Sequence, residues 1–529
     1  MSARPFFVRA LLAVLLAGMA ACCPKPSETV SSLEPAPVFP AYGDGTSIPC
    51  NIAPLNFALP DTVKSAVVNI SSSVAQKTLK LRKNVVFPIK TWKKLCSAAM
   101  QGKRDTLVLE ITVLGQSGAR TAYPPLRWIL CPEPIDPYLT YRLLPSVEGA
   151  YSVGKGGYNV MELRERNLEN FGERVLLSNA SMRKNCFNCH VSPAGDASRM
   201  LVHLRSPSEG SLLFDGKDVS KIVPPDAAKA LAGLPDSLRM PLNLVYPAWH
   251  PDGRWIALST NIIGINGYTP EHQYVDILDS ACNIVLYDTR GNRLVLDNAL
   301  WTAAYEETWP AWSPDGKWLY FCRAPKMDPD TAARYPDWGE RVQHIYFDLC
   351  RVGFDAEKGR FSDSVQTLLK AVPGCSYSMP RVHPDGRHVL LCRARFNSIP
   401  YHAQGDLLLI DVENTGQVKT IESQRNISIN PAQVLNSPES ESWHDWSANG
   451  RWVVFGSKRQ NIHYELPYIA YFDGKDFGKP FLLPQKDGGF YHANLRLFNL
   501  PTFSCAASGV TPRQAAQGRQ SPALEIEVR

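Results

Sequence analysis

The sequence predicts an all-β chain whose C-terminal part is a β-propeller of five or six blades, and two observations carry that prediction. The first is a turn that recurs four times. Tyr246-Pro-Ala-Trp-His-Pro-Asp-Gly253 returns as Trp309-Pro-Ala-Trp-Ser-Pro-Asp-Gly316, as Pro380-Arg-Val-His-Pro-Asp-Gly386 and as Trp443-His-Asp-Trp-Ser-Ala-Asn-Gly450. Proline presets φ, the acid or amide caps the turn and glycine supplies positive φ, so each copy reads as a tight hairpin. The second observation is a further strand pair after each copy: Asn283–Leu296, His344–Asp348, Asp406–Asp411 and Tyr468–Gly474. Four strands per repeat, apolar on both faces, are what stacked blades require. The step between turns is roughly 63 to 70 residues, longer than the usual repeat, and the excess falls in loops. Met200–Leu204 with Ser211–Gly216 reads as the outer pair of one more blade that closes the ring, and the propeller is assigned to residues 205–503.

The elements ahead of the propeller follow in order. Arg4 and Arg9 precede the apolar run Ala10–Ala17, too short for a membrane span, so residues 1–21 read as an export signal. Met19-Ala-Ala-Cys22 resembles a lipobox, which makes Cys22 the lipidated first residue of the mature chain. The alternative is an ordinary cleaved signal. Residues 22–47 are rich in Pro, Ser and Glu and read as a tether. Strand patterns at Val67–Ile70, Thr78–Leu81, Thr106–Val113 and Leu126–Leu130 predict a small β-sandwich-like domain over 48–139. Met161–Phe171 interleaves charges with apolar residues and reads as an amphipathic helix. Residues 504–529 have no apolar period and read as a disordered tail.

Between these lies Cys186-Phe-Asn-Cys-His190. Two cysteines separated by two residues, with histidine next, is the pattern that attaches a c-type haem. A short helical turn would point both thiols along one side, toward the two haem vinyl groups, and place the imidazole on the iron. A redox dithiol, half a zinc site or a strained disulfide are the plainer readings. No thioredoxin-like βαβ unit and no second ligand pair accompanies the motif. The haem-attachment region is therefore assigned to residues 140–204, as an insert with some helix. Met182, Met200 and His203 are the near candidates for the second axial position. If Met200–Leu204 is a strand, Met200 and His203 point to opposite faces, so only one of them meets the iron.

Composition narrows the remaining classes. A net charge of +6 over 529 residues, without basic runs interleaved with aromatics, excludes a nucleic-acid partner. Nine of the thirteen cysteines are scattered, and Cys322 and Cys392 sit in apolar strand patterns as small hydrophobes. His250 and His383 read as exposed turn residues, His444 as an interstrand hydrogen-bonding group, and Gly154–Gly157 as a turn. No GxSxG elbow supports a hydrolase.

The repeated turns resemble the TolB-like branch of WD40-type propellers. The whole chain is similar to a family of Bacteroidota outer-membrane lipoproteins in which signal, β-domain, CxxCH and propeller follow in that order. The resemblance runs through Ile48–Phe57, Ile135–Arg142, Asn185–His190, Met200–Arg205 and Ser442–Ser447. It implies a lipid-anchored, haem-bearing propeller on the periplasmic or cell-surface side of the outer membrane, and it includes His203, which is taken as the second axial ligand beside His190. The functional expectation is a haem c electron carrier with Cys186 and Cys189 as thioethers, docking a redox partner protein or ligand on the propeller. The rivals are a binding scaffold with structural or absent haem, and peroxide or small-molecule chemistry at an open haem.

Overall fold

The computed structural model describes residues 29–145, 161–182, 186–205, 210–266, 276–396, 405–413, 430–524 and 526–529. Residues 1–28, with Cys22 and the export signal, lie outside them, as do Gly154–Gly157. No helix of the described residues is long and apolar enough to cross a membrane.

The propeller has six blades. Blade 1 is built from Cys186–Val191, Arg199–Arg205, Gly210–Asp215 and Asp218–Ile222, and blade 2 from Leu244–Trp249, Trp255–Asn266, Asp276–Asp288 and Arg293–Val295. Blade 3 is Tyr305–Trp312, Trp318–Pro325, Asp348–Asp355 and Arg360–Leu369. Blade 4 shows Ser376–Val382, His388–Ala394 and Asp406–Asp411 among the described residues. Blade 5 is Glu441–Trp446, Trp452–Ser457, Leu466–Tyr471 and Phe481–Leu482. Blade 6 joins the two ends of the ring: Arg496–Ser504 is its innermost strand, and Tyr138–Pro145, Glu162–Asn167 and Glu173–Ser178 are its outer three. Consecutive innermost strands touch all the way round, from blade 1 to blade 6 and back to blade 1.

This closure corrects two expectations. The segment 140–204 is not an insert: its first part is the outer half of blade 6 and its second part opens blade 1. Met161–Phe171 is not a helix either; Glu162–Asn167 is a strand whose charges are satisfied across the sheet, Arg164 with Glu173 at 2.8 Å and Glu165 with Arg174 at 2.6 Å. Cross-strand ion pairs place charges in a strand as readily as helical spacing does.

Every innermost strand carries the same irregularity. Two residues face one on the neighbouring strand at Asn188-Cys189, Tyr246-Pro247, Trp309-Pro310, Met379-Pro380, Trp443-His444 and Leu500-Pro501. In the last five the first residue has φ between +47° and +58°, a strained setting for a side chain that tight packing must hold. Cys189-His190 thus occupies the register that Pro-Ala fills in blades 2 and 3. The motif lies on an extended, bulged strand, where a helical turn was expected.

The N-terminal region is not a sandwich. Seven strands between Thr29 and Cys131 form one mixed sheet; Phe57–Ala58 with Asn84–Val85 and the helix Ile89–Leu95 lie outside it. The helix follows from apolar spacing at Ile89, Trp92 and Leu95; buried Trp92 also donates to the Ile52 carbonyl at 2.8 Å. Thr29–Ser31 and Thr46–Pro49 already belong to the sheet, so the tether ends before Thr29. Trp92 and Trp128 share one apolar core with Trp452 and Phe472 of blade 5. The tail is ordered as well. Thr511 and Gln514 form a reciprocal capping box on the helix Pro512–Gln520, and Ala523–Leu524 and Glu527–Val528 add fifth, parallel strands to blades 1 and 2.

Candidate functional site

The inner strands converge on a cavity of about 330 Å³ at the mouth of the central channel, on the face that carries the repeated turns. That volume is at the lower end of small-molecule sites. The positive-φ residues plug the channel beneath it: the rings of Tyr246 and Trp309 stack at 3.7 Å, and Trp443 meets Trp309 edge-on at 5.8 Å. Trp249, Trp312 and Trp446 line its walls at equivalent positions. Each donates its indole N–H to the preceding blade, to the carbonyls of Val191 (3.1 Å), Ala248 (3.0 Å) and Arg381 (3.4 Å). The same residues therefore wedge the blades together and give the cavity aromatic walls.

Blade 1 supplies the chemistry. Cys189 and His190 line the cavity, with Thr140 and Asp136 from the first part of blade 6, Asp445 from blade 5 and Arg381 from blade 4. The His190 imidazole is buried; its Nε2 lies 3.3 Å from Thr140 Oγ1, and its Nδ1 has no hydrogen-bond partner among the described residues. Burial, with the Arg142 charge adding to it, pushes its pKa down to about 3, so the ring is neutral. Burial also raises the Cys189 thiol, which the Tyr246 amide partly offsets. Arg142, itself buried, donates to the Phe187 carbonyl at 3.0 Å and to the Asn188 side chain, so it grips the motif at its bulge. Behind it, Asn499 links Arg142 to Glu465, whose carboxyl is pushed up to about 7 by burial. Asp445, pushed up to about 6 by burial, accepts the Phe503 amide at 2.9 Å.

The remaining predicted residues are placed as follows. Cys186 is on the far side of the bulge, in a separate core with Met182, Leu204 and Phe214, and does not line the cavity. His203 is opposite the bulge, one residue out of phase with Val202, which pairs with His190. It therefore stands on the other sheet face, and the two imidazoles do not meet; Met200, in phase with Val202, does line the cavity. In this register Met200, and not His203, shares a sheet face with His190. At the position of His203 the other blades carry Leu258, Phe321, Leu391, Phe455 and Tyr141. Burial pushes the pKa of His203 down to about 3. The unfolded chain takes up a proton below pH ~6.5 that the folded chain refuses, so this residue costs stability as pH falls from 6.5 toward 3. His203→Leu is therefore expected to gain about 2 kcal/mol relative to wild type on going from pH 7.5 to pH 5, read from urea midpoints at both values.

His250 and His383 are buried rather than exposed. Each accepts a turn amide at Nδ1 and donates from Nε2 to the next repeated turn, His250 to the Gly316 carbonyl (3.0 Å) and His383 to that of Gly450 (2.8 Å). His383, Asp385 and His388 cluster closely enough for a cation. Both His383 nitrogens are nevertheless occupied as they are in His250, which makes the cluster part of the turn. His444 bridges strands, its Nε2 lying 2.9 Å from the Leu390 carbonyl.

Arg142, Thr140 and Asp136 were missed as site residues, although the stretch Ile135–Arg142 was singled out; so was Ser442–Ser447, which supplies Asp445 and Trp446. Both now meet at the cavity. The signal that would have found blade 6 is Leu500-Pro-Thr-Phe503, a further copy of the bulge motif without its turn.

No protein-family model matches the chain, and no curated protein matches it in sequence. Among solved structures, it is similar to the β-propeller domain of the trilobed protease from Pyrococcus furiosus, with 9% identity over 72% of this chain and 82% of that one and a TM-score of 0.32. A variant of the Synechocystis apocarotenoid oxygenase gives 9% identity, 82% and 93% coverage and a TM-score of 0.33. An oligogalacturonate lyase in complex with manganese gives 13%, 71% and 88%, and 0.30.

Proposed function

We propose that this chain is an exported electron-transfer protein that carries one c-type haem at the channel mouth and docks its redox partner on the propeller rim. The observation that supports this most is that Cys189 and His190 of the CxxCH motif face one aromatic-walled cavity, and that the imidazole Nδ1 has no hydrogen-bond partner among the described residues. These two residues fit the group. Cys186 completes the motif in sequence but sits in the neighbouring core. The bound haem supplies a one-electron iron couple whose potential follows axial ligation, hydrogen bonding and burial. The chain's own residues do the rest: Arg142 fixes the bulge that presents His190, the three wall tryptophans give the cavity its aromatic walls, and Met200 stands on the side of the sheet that His190 shares. Lipidation at Cys22 and an outer-membrane location, periplasmic or at the cell surface, belong to the same proposal.

The placement of Cys186 favours a second reading, a propeller scaffold that binds a small ligand in the same cavity without haem. Haem staining of the denatured protein, exported from a host with a haem-attachment system, separates the two. The electron-transfer reading expects covalent colour in wild type and its loss when Cys186 and Cys189 are both replaced by alanine. Either single variant, Cys186→Ala or Cys189→Ala, keeps the colour through the other thioether, with the reduced pyridine haemochrome band at longer wavelength because one vinyl group remains. A colourless wild type leaves only the scaffold.

A further inference from the structure

The charge of this chain is unevenly placed. Residues 29–131 hold twelve Lys and Arg against five Asp and Glu, although the whole 529-residue chain has an excess of only six. All twelve are exposed. Lys83 pairs with Asp61, and Arg127 approaches Asp44 at 4.0 Å. Lys64, Lys77, Lys80, Arg82, Lys90, Lys93, Lys94 and Lys103 make no ion pair among the described residues. The helix Ile89–Leu95 shows the arrangement in small: Trp92 and Leu95 are buried, Lys90, Lys93 and Lys94 face solvent, and no acid accompanies them. An ordinary solvated face mixes both signs. The other side of the domain is committed to the propeller, where Trp452 donates to the Glu133 carbonyl at 3.0 Å and Asn56 to that of Gln485 at 3.0 Å.

We infer that this basic face binds anionic lipid headgroups at the surface of the membrane. The inference rests on the lipidation of Cys22 for its choice of partner. Cys22 precedes Thr29 by seven residues, and Thr29 is paired with Arg120 in the sheet of this same domain. Seven extended residues reach about 25 Å at most. A lipid on Cys22 therefore holds the basic domain next to the bilayer, where exposed lysines act within about one Debye length of an anionic surface. An acidic partner protein would satisfy the same charges, but nothing brings one to this face.

The test uses the full chain carrying Cys22→Ser, which has no lipid on either reading, and vesicles of pure phosphatidylcholine or of equal parts phosphatidylcholine and phosphatidylglycerol. Cosedimentation with the anionic vesicles alone, weakening as salt is raised, is expected. The triple variant Lys90→Gln, Lys93→Gln, Lys94→Gln should bind them roughly 10- to 100-fold more weakly, with an unchanged circular dichroism spectrum. Equal binding to both vesicles, binding to neither, or an unaffected triple variant overturns the inference. The anchor is tested apart from it, by the mass of the wild-type N-terminal peptide: an unlipidated Cys22 would remove the tether while leaving the vesicle result to stand or fall alone.

Discussion

A chain that stops after Leu495 is expected not to fold. Arg496–Ser504 pairs with Tyr138–Pro145 along the length of blade 6 and buries Leu497, Phe498, Leu500 and Phe503. At about 1.5–3 kcal/mol for each large apolar side chain, those four contribute roughly 6–12 kcal/mol, comparable to the whole stability of a typical domain. The truncation also removes Asn499 from Arg142 and opens the edge of Tyr138–Pro145 to aggregation. Far-UV circular dichroism and limited proteolysis should report an unstructured or aggregated product. A chain that stops after Ala506 keeps the closing strand and loses the tail helix, two short fifth strands and the contacts of Ser508 with Glu165 and Arg174. It should remain folded and resist proteolysis within the propeller. If the shorter truncation is as stable as the longer chain, the ring is not held by this strand.

The second large effect is expected at the turn-to-turn contacts. Gly316 has φ of +71°, and a Cβ there would lie 2.3 Å from His250 Nε2. The imidazole has no room to retreat, because Trp312 meets it edge-on at 4.7 Å and Phe354 at 5.4 Å. Gly316→Ala therefore combines left-handed strain, about 1–3 kcal/mol, with loss of the buried hydrogen bond between His250 and the Gly316 carbonyl, about 1–3 kcal/mol more. Denaturant midpoints should fall accordingly. Blades 3 and 5 carry Ser313 and Ser447 where blades 2 and 4 carry histidine, so His250→Ser is the natural relief. The double variant should recover the steric part of the loss and leave the strain, a coupling that a double-mutant cycle measures directly. Additive losses would mean that the two residues do not touch.

The propeller was legible because its hairpins are local: a proline, an acid and a glycine within four residues fix a turn whatever the rest of the chain does. Blade 6 was not, because its inner strand lies more than three hundred residues from its outer three, and no local pattern records that pairing. The strand Glu162–Asn167 was misread for a related reason. Glu162, Arg164 and Glu165 look like a solvated helical face until the arginine and glutamate across the sheet are known. At the site, the motif Cys186–His190 was plain, but its conformation was set by its place in the ring. The bulge that Tyr246-Pro, Trp309-Pro and Leu500-Pro share also bends Asn188-Cys189, and that bend sends Cys189 and Cys186 into different surroundings. Thr140 and Asp445 reach the cavity from blades 6 and 5, and Arg142 reaches the bulge behind it; only closure of the ring shows that they do.

Blade 6 also sets a schedule. The strand bearing Cys186 and Cys189 has blade 6 as one of its two neighbours, and blade 6 lacks its innermost strand until the chain has been made as far as Ser504. Up to that moment the channel mouth is a cleft open along one side, with the Cys189 thiol at its edge. Afterwards all six blades surround the cavity. A group too large to pass the finished mouth would have to meet Cys189 before the last strand emerges.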